Sequence, residues 1–222
     1  RIGLLKMAPK IYDLTPKISS RLGVFPGDHA FERRVALSFH QGHHLELSSI
    51  HTTVHLGAHA DAPSHYHAGA ETIEKRSLAP YLGKAQVIKV KGLKRGERVM
   101  PKHLTVDIQA PRVLIDTGSF PDPENWNSDF CSLSPELLNF LADKKVRLVG
   151  IDTPSVDPED SKKLESHQIL YARNFSVLEG LWLKPVPEGL YTLIALPLSI
   201  EGSDASPVRA VLLEGISFPE FS

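Results

Sequence analysis

The chain has 222 residues, of which 41% are hydrophobic and 23% charged, and its formal net charge is −1. This composition is typical of a folded globular protein, and the length predicts a single domain over residues 1–222. No block of Lys and Arg stands out and no apolar run approaches the roughly 20 residues that span a bilayer, so neither nucleic acid nor a membrane is an expected partner.

Cysteine usage bears on the cellular compartment. Cys131 is the only cysteine, which excludes an intrachain disulfide framework and a thiolate-rich zinc finger and fits a reducing compartment. The N-terminal residues lack the long apolar core and small-residue cleavage site of a signal peptide. We therefore predict a cytoplasmic protein. Because the sequence does not begin with Met, a signal peptide already removed stays an open alternative.

Strands dominate the predicted elements of the first half of the chain. Residues 23–28 have turn chemistry, which places Phe25 on a loop. The alternating pattern of residues 33–39 indicates a half-buried strand, and the strand expected to follow would deliver a histidine-rich run at its end. Predicted strands cover part of residues 11–20, then 33–39, 45–55 and 84–91, with short helical segments near Pro80 and over 101–106.

The second half of the chain alternates strands and helices. Ser134 as N-cap, Pro135 at the first helical position and lysines at 144 and 145 define the best helix. A second helix is expected over 161–171. Strands are predicted over 112–117, 146–152, 175–182, 191–197 and 208–213. The strand, helix, strand order around residue 134 favours a parallel pair, so the predicted fold class is α/β with a mixed sheet.

Histidine is concentrated in one part of the sequence, since nine of the eleven histidines lie between His29 and His67. Within that part, His55, His59, Asp61 and His65 are separated by even numbers of residues, so an extended segment would project all four to one face. His55, His59 and Asp61 offer nitrogen and oxygen ligands that suit Zn²⁺ or Mn²⁺. His65 is either a further ligand or a proton carrier.

Two distant residues extend this candidate site. Glu179 stands among apolar residues of a predicted strand, and a buried carboxylate is costly unless it is paired or ligated. A structural ion pair with Arg or Lys is the alternative. His167 is the only histidine in the C-terminal half. Together with the histidine run, these residues indicate a metal site assembled from both halves of the chain.

The other candidate features give weaker evidence of function. His40, His43, His44, His51 and His67 have structural or supporting roles as their simplest interpretation, and Cys131 is interpreted as incidental. The sequence has no G-x-S-x-G elbow, no G-x-G-x-x-G and no P-loop, so serine hydrolases and nucleotide-binding proteins have little support.

The run His55-Leu-Gly-Ala-His-Ala-Asp-Ala-Pro-Ser-His65 resembles the H-x-G-[TA]-H-x-D-x-P-x-H signature of the cyclase-like metal-dependent hydrolases. The resemblance extends from about Tyr12 to Leu213. Within that family, further segments look like those of the bacterial kynurenine formamidases: those beginning at Thr117, Gly150, Asp160, Leu178 and Leu193, and the segment Asp204-Ala-Ser-Pro-Val-Arg-Ala.

The resemblance implies a swivelling β/β/α fold, a homodimer and two divalent metal ions, usually zinc with manganese as the alternative. By matching positions, the metal ligands would be His55, His59, Asp61, His167 and Glu179, with Asp61 bridging both ions. His65 matches the catalytic acid/base. The family places a tryptophan against the substrate ring where this chain has Phe25, so substrate preference is where a difference is expected.

The implied reaction is the hydrolysis of N-formyl-L-kynurenine, a small-molecule aryl formamide, to L-kynurenine and formate in tryptophan breakdown. Metal-activated water would attack the formyl carbon while His65 carries the proton to the leaving amine. Two alternatives stay open at this point: hydrolysis of a related cyclic amide such as isatin, and a non-catalytic module that binds a metal or ligand.

Overall fold

The computed structural model describes residues 9–221 and contains thirteen strands and two α-helices in that range. In chain order these are β1 (Lys10–Asp13), β2 (Glu32–Leu37), β3 (Leu47–His51), β4 (His59–Asp61), β5 (Leu82–Lys89), β6 (Arg98–Val99), β7 (Arg112–Asp116), β8 (Ser132–Leu133), α1 (Pro135–Asp143), β9 (Leu148–Ile151), α2 (Glu165–Ala172), β10 (Ser176–Glu179), β11 (Gly189–Ile194), β12 (Ala205–Pro207) and β13 (Val211–Glu214). Short 3-10 turns lie at 39–41, 63–65, 73–75, 79–81 and 101–103.

Nine strands form one mixed sheet in the order β1-β13-β11-β5-β7-β9-β10-β4-β12. The neighbours β5, β7, β9 and β10 run parallel, and the strands on either side of them pair antiparallel. This arrangement confirms the predicted α/β class with a mixed sheet. The strand order brings β4, from the histidine-rich run, next to β10, which carries Glu179.

Both faces of the central strands are covered. In β7, Val113 and Ile115 belong to the apolar cluster that packs against α1, whereas Leu114 between them belongs to the cluster on the opposite face. Parallel strands that are buried on both faces read as continuous apolar runs rather than as alternating ones. The central strands therefore lie in the interior of the protein, beneath the loops that follow them.

The helix predicted at Ser134 is confirmed. The Ser134 hydroxyl accepts a hydrogen bond from the Leu137 amide at 3.0 Å, Pro135 occupies the first turn, and Leu137, Leu138 and Leu141 are buried. The strands before and after this helix, β7 and β9, are parallel neighbours as predicted. None of the helices within residues 9–221 has both the length and the apolar character that crossing a bilayer requires.

Three local predictions need correction. β2 is not half-buried: β2 and β3 form a separate two-stranded hairpin whose residues are nearly all exposed. β3 ends at His51 and so does not deliver the histidine-rich run, whose residues 55–58 lie in an irregular segment. The helix expected from 161 begins only at Glu165, because Leu164 adopts a left-handed conformation with φ +47°.

Candidate metal centre and active site

The histidine-rich run is not a single extended strand, although its four polar side chains do converge. Only His59–Asp61 lies in a strand, where Glu179 of β10 is opposite His59 and Ala205 of β12 is opposite Asp61. Gly57, at φ +55°, bends the chain before this strand, and the 3-10 turn Pro63–His65 bends it afterwards. Even spacing therefore explains why His59 and Asp61 lie on one face of the strand. The two bends bring His55 and His65 to the same place.

The predicted ligands form two adjacent groups that share Asp61. In the first group, Asp61 Oδ1 lies 3.1 Å from His55 Nδ1 and 3.4 Å from His59 Nε2. In the second, Asp61 Oδ2 lies 3.5 Å from His167 Nε2. Glu179 is 3.5 Å from His167 Nε2 through Oε1 and 3.3 Å from His59 Nε2 through Oε2. The two oxygens of Asp61 thus face different groups.

This donor set fits divalent cations. Within residues 9–221, His59 Nε2, His167 Nε2 and both carboxylate oxygens of Asp61 are buried without a hydrogen-bond partner. Buried polar atoms are normally paired, so four orphaned atoms facing one another need an explanation. Ligand atoms about 2.0–2.1 Å from a tetrahedral zinc ion are roughly 3.3–3.4 Å apart, close to the spacings found here. The residues therefore fit the metal ions that the sequence implied.

The second group is held by the loop between β9 and α2. Glu179 Oε1 accepts a hydrogen bond from the Val156 amide at 2.7 Å, and the carboxylate of Asp157 lies 2.8 Å from His167 Nδ1. Asp157 also accepts from the amides of Ser166 and His167 at the start of α2. A carboxylate on the far nitrogen of a histidine fixes its ring and leaves Nε2 for a ligand.

The carboxylates of the site raise the pKa values of its buried histidines. Burial lowers the pKa of His55, but the carboxylates of Asp61 and Asp204 outweigh it and raise the pKa to about 10. Burial likewise opposes the shift at His167, yet Asp157, Asp61 and Glu179 hold its pKa well above the usual range. These carboxylates require nearby positive charge, which divalent cations supply as well as imidazolium protons do.

His65 lies at the edge of the same site rather than in its buried floor. Its side chain is 34% exposed, its ring centroid is 4.1 Å from that of His55, and Nδ1 is 3.1 Å from Asp204 Oδ2. Asp204 also lies 2.9 Å from His55 Nε2. The sequence prediction included His65 but not Asp204.

The ligand groups open into a cavity of about 460 Å³ with one aromatic side. Phe25, predicted to contact substrate, is 38% exposed and packs edge-on against Trp126, with ring centroids 5.5 Å apart. Trp126 also contacts Phe120 and donates from Nε1 to Glu159 at 2.6 Å. The cavity wall therefore does contain an indole, that of Trp126, but it comes from the loop that follows β7 and not from the position of Phe25.

Sequence reasoning missed Trp126, Asp157 and Asp204. A tryptophan in a polar loop, Asn125-Trp-Asn127, is a signal that could have pointed to Trp126, because such loops rarely bury an indole by themselves. Asp157 carries no comparable signal, since an aspartate in a loop is ordinary turn chemistry. Asp204 begins one of the segments that resemble the family, but that resemblance assigned it no role. Their importance is visible only once the fold brings them beside histidines.

The remaining histidines lie away from this centre. His67 stacks on Tyr171 at a centroid separation of 3.8 Å, and His43 hydrogen-bonds within its own turn. His51 forms an exposed group with His29 and Glu32 on the β2–β3 hairpin. Glu32 there is already engaged by Arg34, at 2.9 and 3.0 Å. Cys131 is buried and unpaired.

Comparison with known proteins gives a consistent result. A family model described as "Putative cyclase" matches residues 12–158. Kynurenine formamidase of Bordetella petrii is 42% identical over 207 residues, which cover 92% of this chain and 98% of that protein. Kynurenine formamidase of Polaromonas naphthalenivorans is 44% identical over 207 residues, covering 92% and 91% respectively.

Solved structures share the fold. One described as a potential metal-dependent hydrolase with cyclase activity has a TM-score of 0.80 at 29% identity and covers 93% of this chain and 98% of its own. Isatin hydrolase A from Labrenzia aggregata, bound to benzyl benzoate, has a TM-score of 0.76 at 22% identity, with coverage of 95% and 96%. At that identity, the second match bears on the fold alone.

Proposed function

The chain belongs to the cyclase family, and from its kynurenine formamidase relatives we infer that it is an amide hydrolase that converts N-formyl-L-kynurenine and water to L-kynurenine and formate. The observation that carries this inference is the 42% identity maintained over 92% of the chain. The geometry supports it independently, because a buried set of nitrogen and oxygen ligands opens into a cavity with an aromatic wall.

We propose that the two ligand groups hold two divalent ions, zinc in the first instance with manganese as the alternative. His55, His59 and Asp61 would hold one ion, and Asp61, His167 and Glu179 the other. Imidazole and carboxylate ligands suit both metals. Ions held there supply Lewis-acid polarisation of the formyl carbonyl and activation of water.

The remaining step, the transfer of a proton, is assigned to His65. His65 stands at the cavity edge with Nδ1 towards Asp204, so Nε2 is the nitrogen available to the substrate. As water adds to the formyl carbon it loses a proton, and the aryl nitrogen gains one as the carbon–nitrogen bond breaks. His65 Nε2 would accept the proton from the water and pass it to the leaving nitrogen. Proton transfer of this kind contributes roughly 10²- to 10⁴-fold to a rate.

The aromatic wall selects the substrate ring. Phe25 and Trp126 offer edge-to-face surfaces from two different loops, and the Trp126 indole is held in place by Glu159. Aromatic pairs of this kind add about 0.5–1.5 kcal/mol beyond the area they bury. We propose that Phe25, with Trp126 behind it, packs against the aryl ring of the formamide.

We propose a homodimer and a cytoplasmic location from two separate observations. Exposed apolar side chains on the β2–β3 hairpin support a homodimer, since association with a second copy would remove them from water. A buried, unpaired cysteine fits the reducing conditions of the cytoplasm.

Turnover measured before and after chelation tests the proposal. We expect zinc-loaded protein to release formate from N-formyl-L-kynurenine, chelator treatment to abolish release, and added zinc or manganese to restore it. His65→Ala is expected to keep its bound metal while losing turnover by 10²-fold or more. Full activity after complete metal removal would contradict the mechanism.

Isatin serves as the comparison substrate. A linear aryl formamide and a cyclic amide present the same ring but different leaving groups, so their kcat/KM values separate the two reactions. We expect kcat/KM to favour N-formyl-L-kynurenine. A preference for isatin would replace the proposed substrate while leaving the metal site as described.

A further inference from the structure

One carboxylate joins the metal-binding and proton-transferring parts of the site. Asp204 Oδ2 lies 2.9 Å from His55 Nε2 and 3.1 Å from His65 Nδ1, although these histidines are 149 and 139 residues away in sequence. Asp204 is outside both ligand groups that contain Asp61, and with His55 and His65 it forms a third group of possible ligand atoms. A single oxygen shared by two imidazoles fixes the position of one relative to the other.

The backbone fixes this carboxylate in place. Asp204 immediately precedes β12, whose Ala205 is opposite Asp61 of β4. Its carbonyl accepts a hydrogen bond from the Ala62 amide at 2.8 Å, and the carbonyl of the preceding Ser203 accepts from the Ile73 amide at 2.9 Å. Backbone hydrogen bonds therefore hold the main chain that carries the carboxylate, even though the Asp204 side chain is 47% exposed.

An ordinary surface ion pair does not account for these contacts. Within residues 9–221, the ion pairs of Asp204 are those with His55 and His65, and neither lysine nor arginine contributes one. A carboxylate only accepts hydrogen bonds, so each ring must carry its proton on the nitrogen that faces Asp204. That leaves His55 Nδ1 free to face Asp61 and the metal group, and His65 Nε2 free to face the substrate.

We propose that Asp204 is a positioning residue that sets the ring orientation and tautomer of both His55 and His65. It acts on the metal through His55 and on proton transfer through His65, and it touches neither metal nor substrate. Carboxylates that orient a ligand histidine in this way typically contribute about 10- to 100-fold to metal affinity or activity. The catalytic half of this inference rests on the proposed formamidase reaction, whereas the metal half does not.

The test compares Asp204→Ala and Asp204→Asn with Asp13→Ala. Asp13 is a matched control, because it is 43% exposed and pairs with Arg209 away from the site. At saturating zinc we expect Asp204→Ala to lower kcat with N-formyl-L-kynurenine about 10- to 100-fold with KM changed less than twofold. Asp204→Asn keeps an accepting oxygen and should recover part of that loss, while Asp13→Ala should leave kcat unchanged.

Two further measurements separate positioning from general structural damage. Competition with a chromogenic chelator should show zinc affinity about 10- to 100-fold weaker in Asp204→Ala, whereas the melting temperature of the metal-free protein should be unchanged. At saturating zinc, kcat of the double variant with His65→Ala should be no lower than that of His65→Ala alone, because Asp204 acts on proton transfer through His65.

Unchanged zinc affinity in Asp204→Ala would overturn the proposal, and so would a kcat within twofold of the wild type at saturating zinc. If zinc-loaded wild type fails to hydrolyse N-formyl-L-kynurenine, the proposed function fails. The zinc competition still decides the role of Asp204, and weakened zinc binding would then support it.

Discussion

At the scale of single residues, Asp152 is a buried acid that lines the cavity but belongs to neither ligand group. Its Oδ1 accepts hydrogen bonds from the Thr117 amide at 3.0 Å and hydroxyl at 2.8 Å, and Oδ2 accepts from the Gly118 amide at 2.8 Å. Burial, reinforced by the nearby charge of Asp116, nevertheless raises the pKa of Asp152 to about 7. The carboxyl of Asp152 therefore stays protonated in the folded protein at pH values where the same carboxyl in the unfolded chain has ionised.

This shift predicts a pH dependence of stability that Asp152→Asn removes. Between the unfolded pKa of about 4 and the folded pKa of about 7, the folded protein keeps a proton that the unfolded chain releases. The free energy of unfolding of the wild type, relative to Asp152→Asn, should therefore fall as pH rises, by about 2–3 kcal/mol between pH 5 and pH 8. The effect should level off above pH 7.

Urea denaturation of both proteins at pH 5, 6, 7 and 8 in constant excess zinc provides the measurement. The pH dependence of metal binding is common to the two proteins and cancels in their difference. A difference that stays flat over this range, or that rises with pH, would contradict a raised pKa of Asp152.

At the scale of elements, predictability follows how local the determining interactions are. α1 was predicted because its cap and first turn lie within a few residues of Ser134, and β7 because burial on both faces leaves an apolar run. The exposure of β2 was predicted wrongly, since alternation shows that two faces differ but not that either is covered. The convergence of the ligands depended on Gly57 and on the pairing of β4 with β10, which no local pattern specifies.

Gly180 directly follows β10 and the proposed ligand Glu179. Its lack of a side chain is what allows the chain to approach the histidine-rich run. A Cβ added there would lie 2.1 Å from the carbonyl oxygen of Gly57, and its φ is +66°. Gly180→Ala must therefore displace backbone that carries ligands on both sides. We expect it to lower the free energy of unfolding by more than about 3 kcal/mol and to weaken zinc binding.

Gly202→Ala is the matched control for that variant. Gly202 has a similar φ of +72°, but a Cβ there meets nothing within 4 Å. Its substitution should cost only the left-handed conformation, about 1–2 kcal/mol, and leave zinc affinity unchanged. Thermal unfolding and chelator competition compare the two. Equal costs in both variants would mean that the contact between Gly180 and Gly57 does not constrain the site.

At the scale of the whole molecule, the sheet assembles one site from segments that are far apart in sequence, while the β2–β3 hairpin stands apart from it. A two-stranded hairpin is marginally stable in water unless something packs against it. Apolar residues of the hairpin and its adjoining turn are nevertheless exposed: Val35 by 44%, Phe39 by 63%, Leu47 by 53% and Ile50 by 66%. A second copy of the chain is the partner expected to cover them.

If the proposed homodimer forms through the hairpin, Ile50→Asp should dissociate it. An uncompensated charge placed in an apolar interface costs about 3 kcal/mol or more, which corresponds to a dissociation constant at least about 100-fold higher. Ile11 on the edge strand β1 is 65% exposed, so Ile11→Asp matches the change in chemistry and exposure away from the hairpin. Sedimentation equilibrium should show a dimer for the wild type and for Ile11→Asp, and a monomer for Ile50→Asp at micromolar concentration. A monomeric wild type, or equal dissociation of both variants, would exclude the hairpin as the dimer contact.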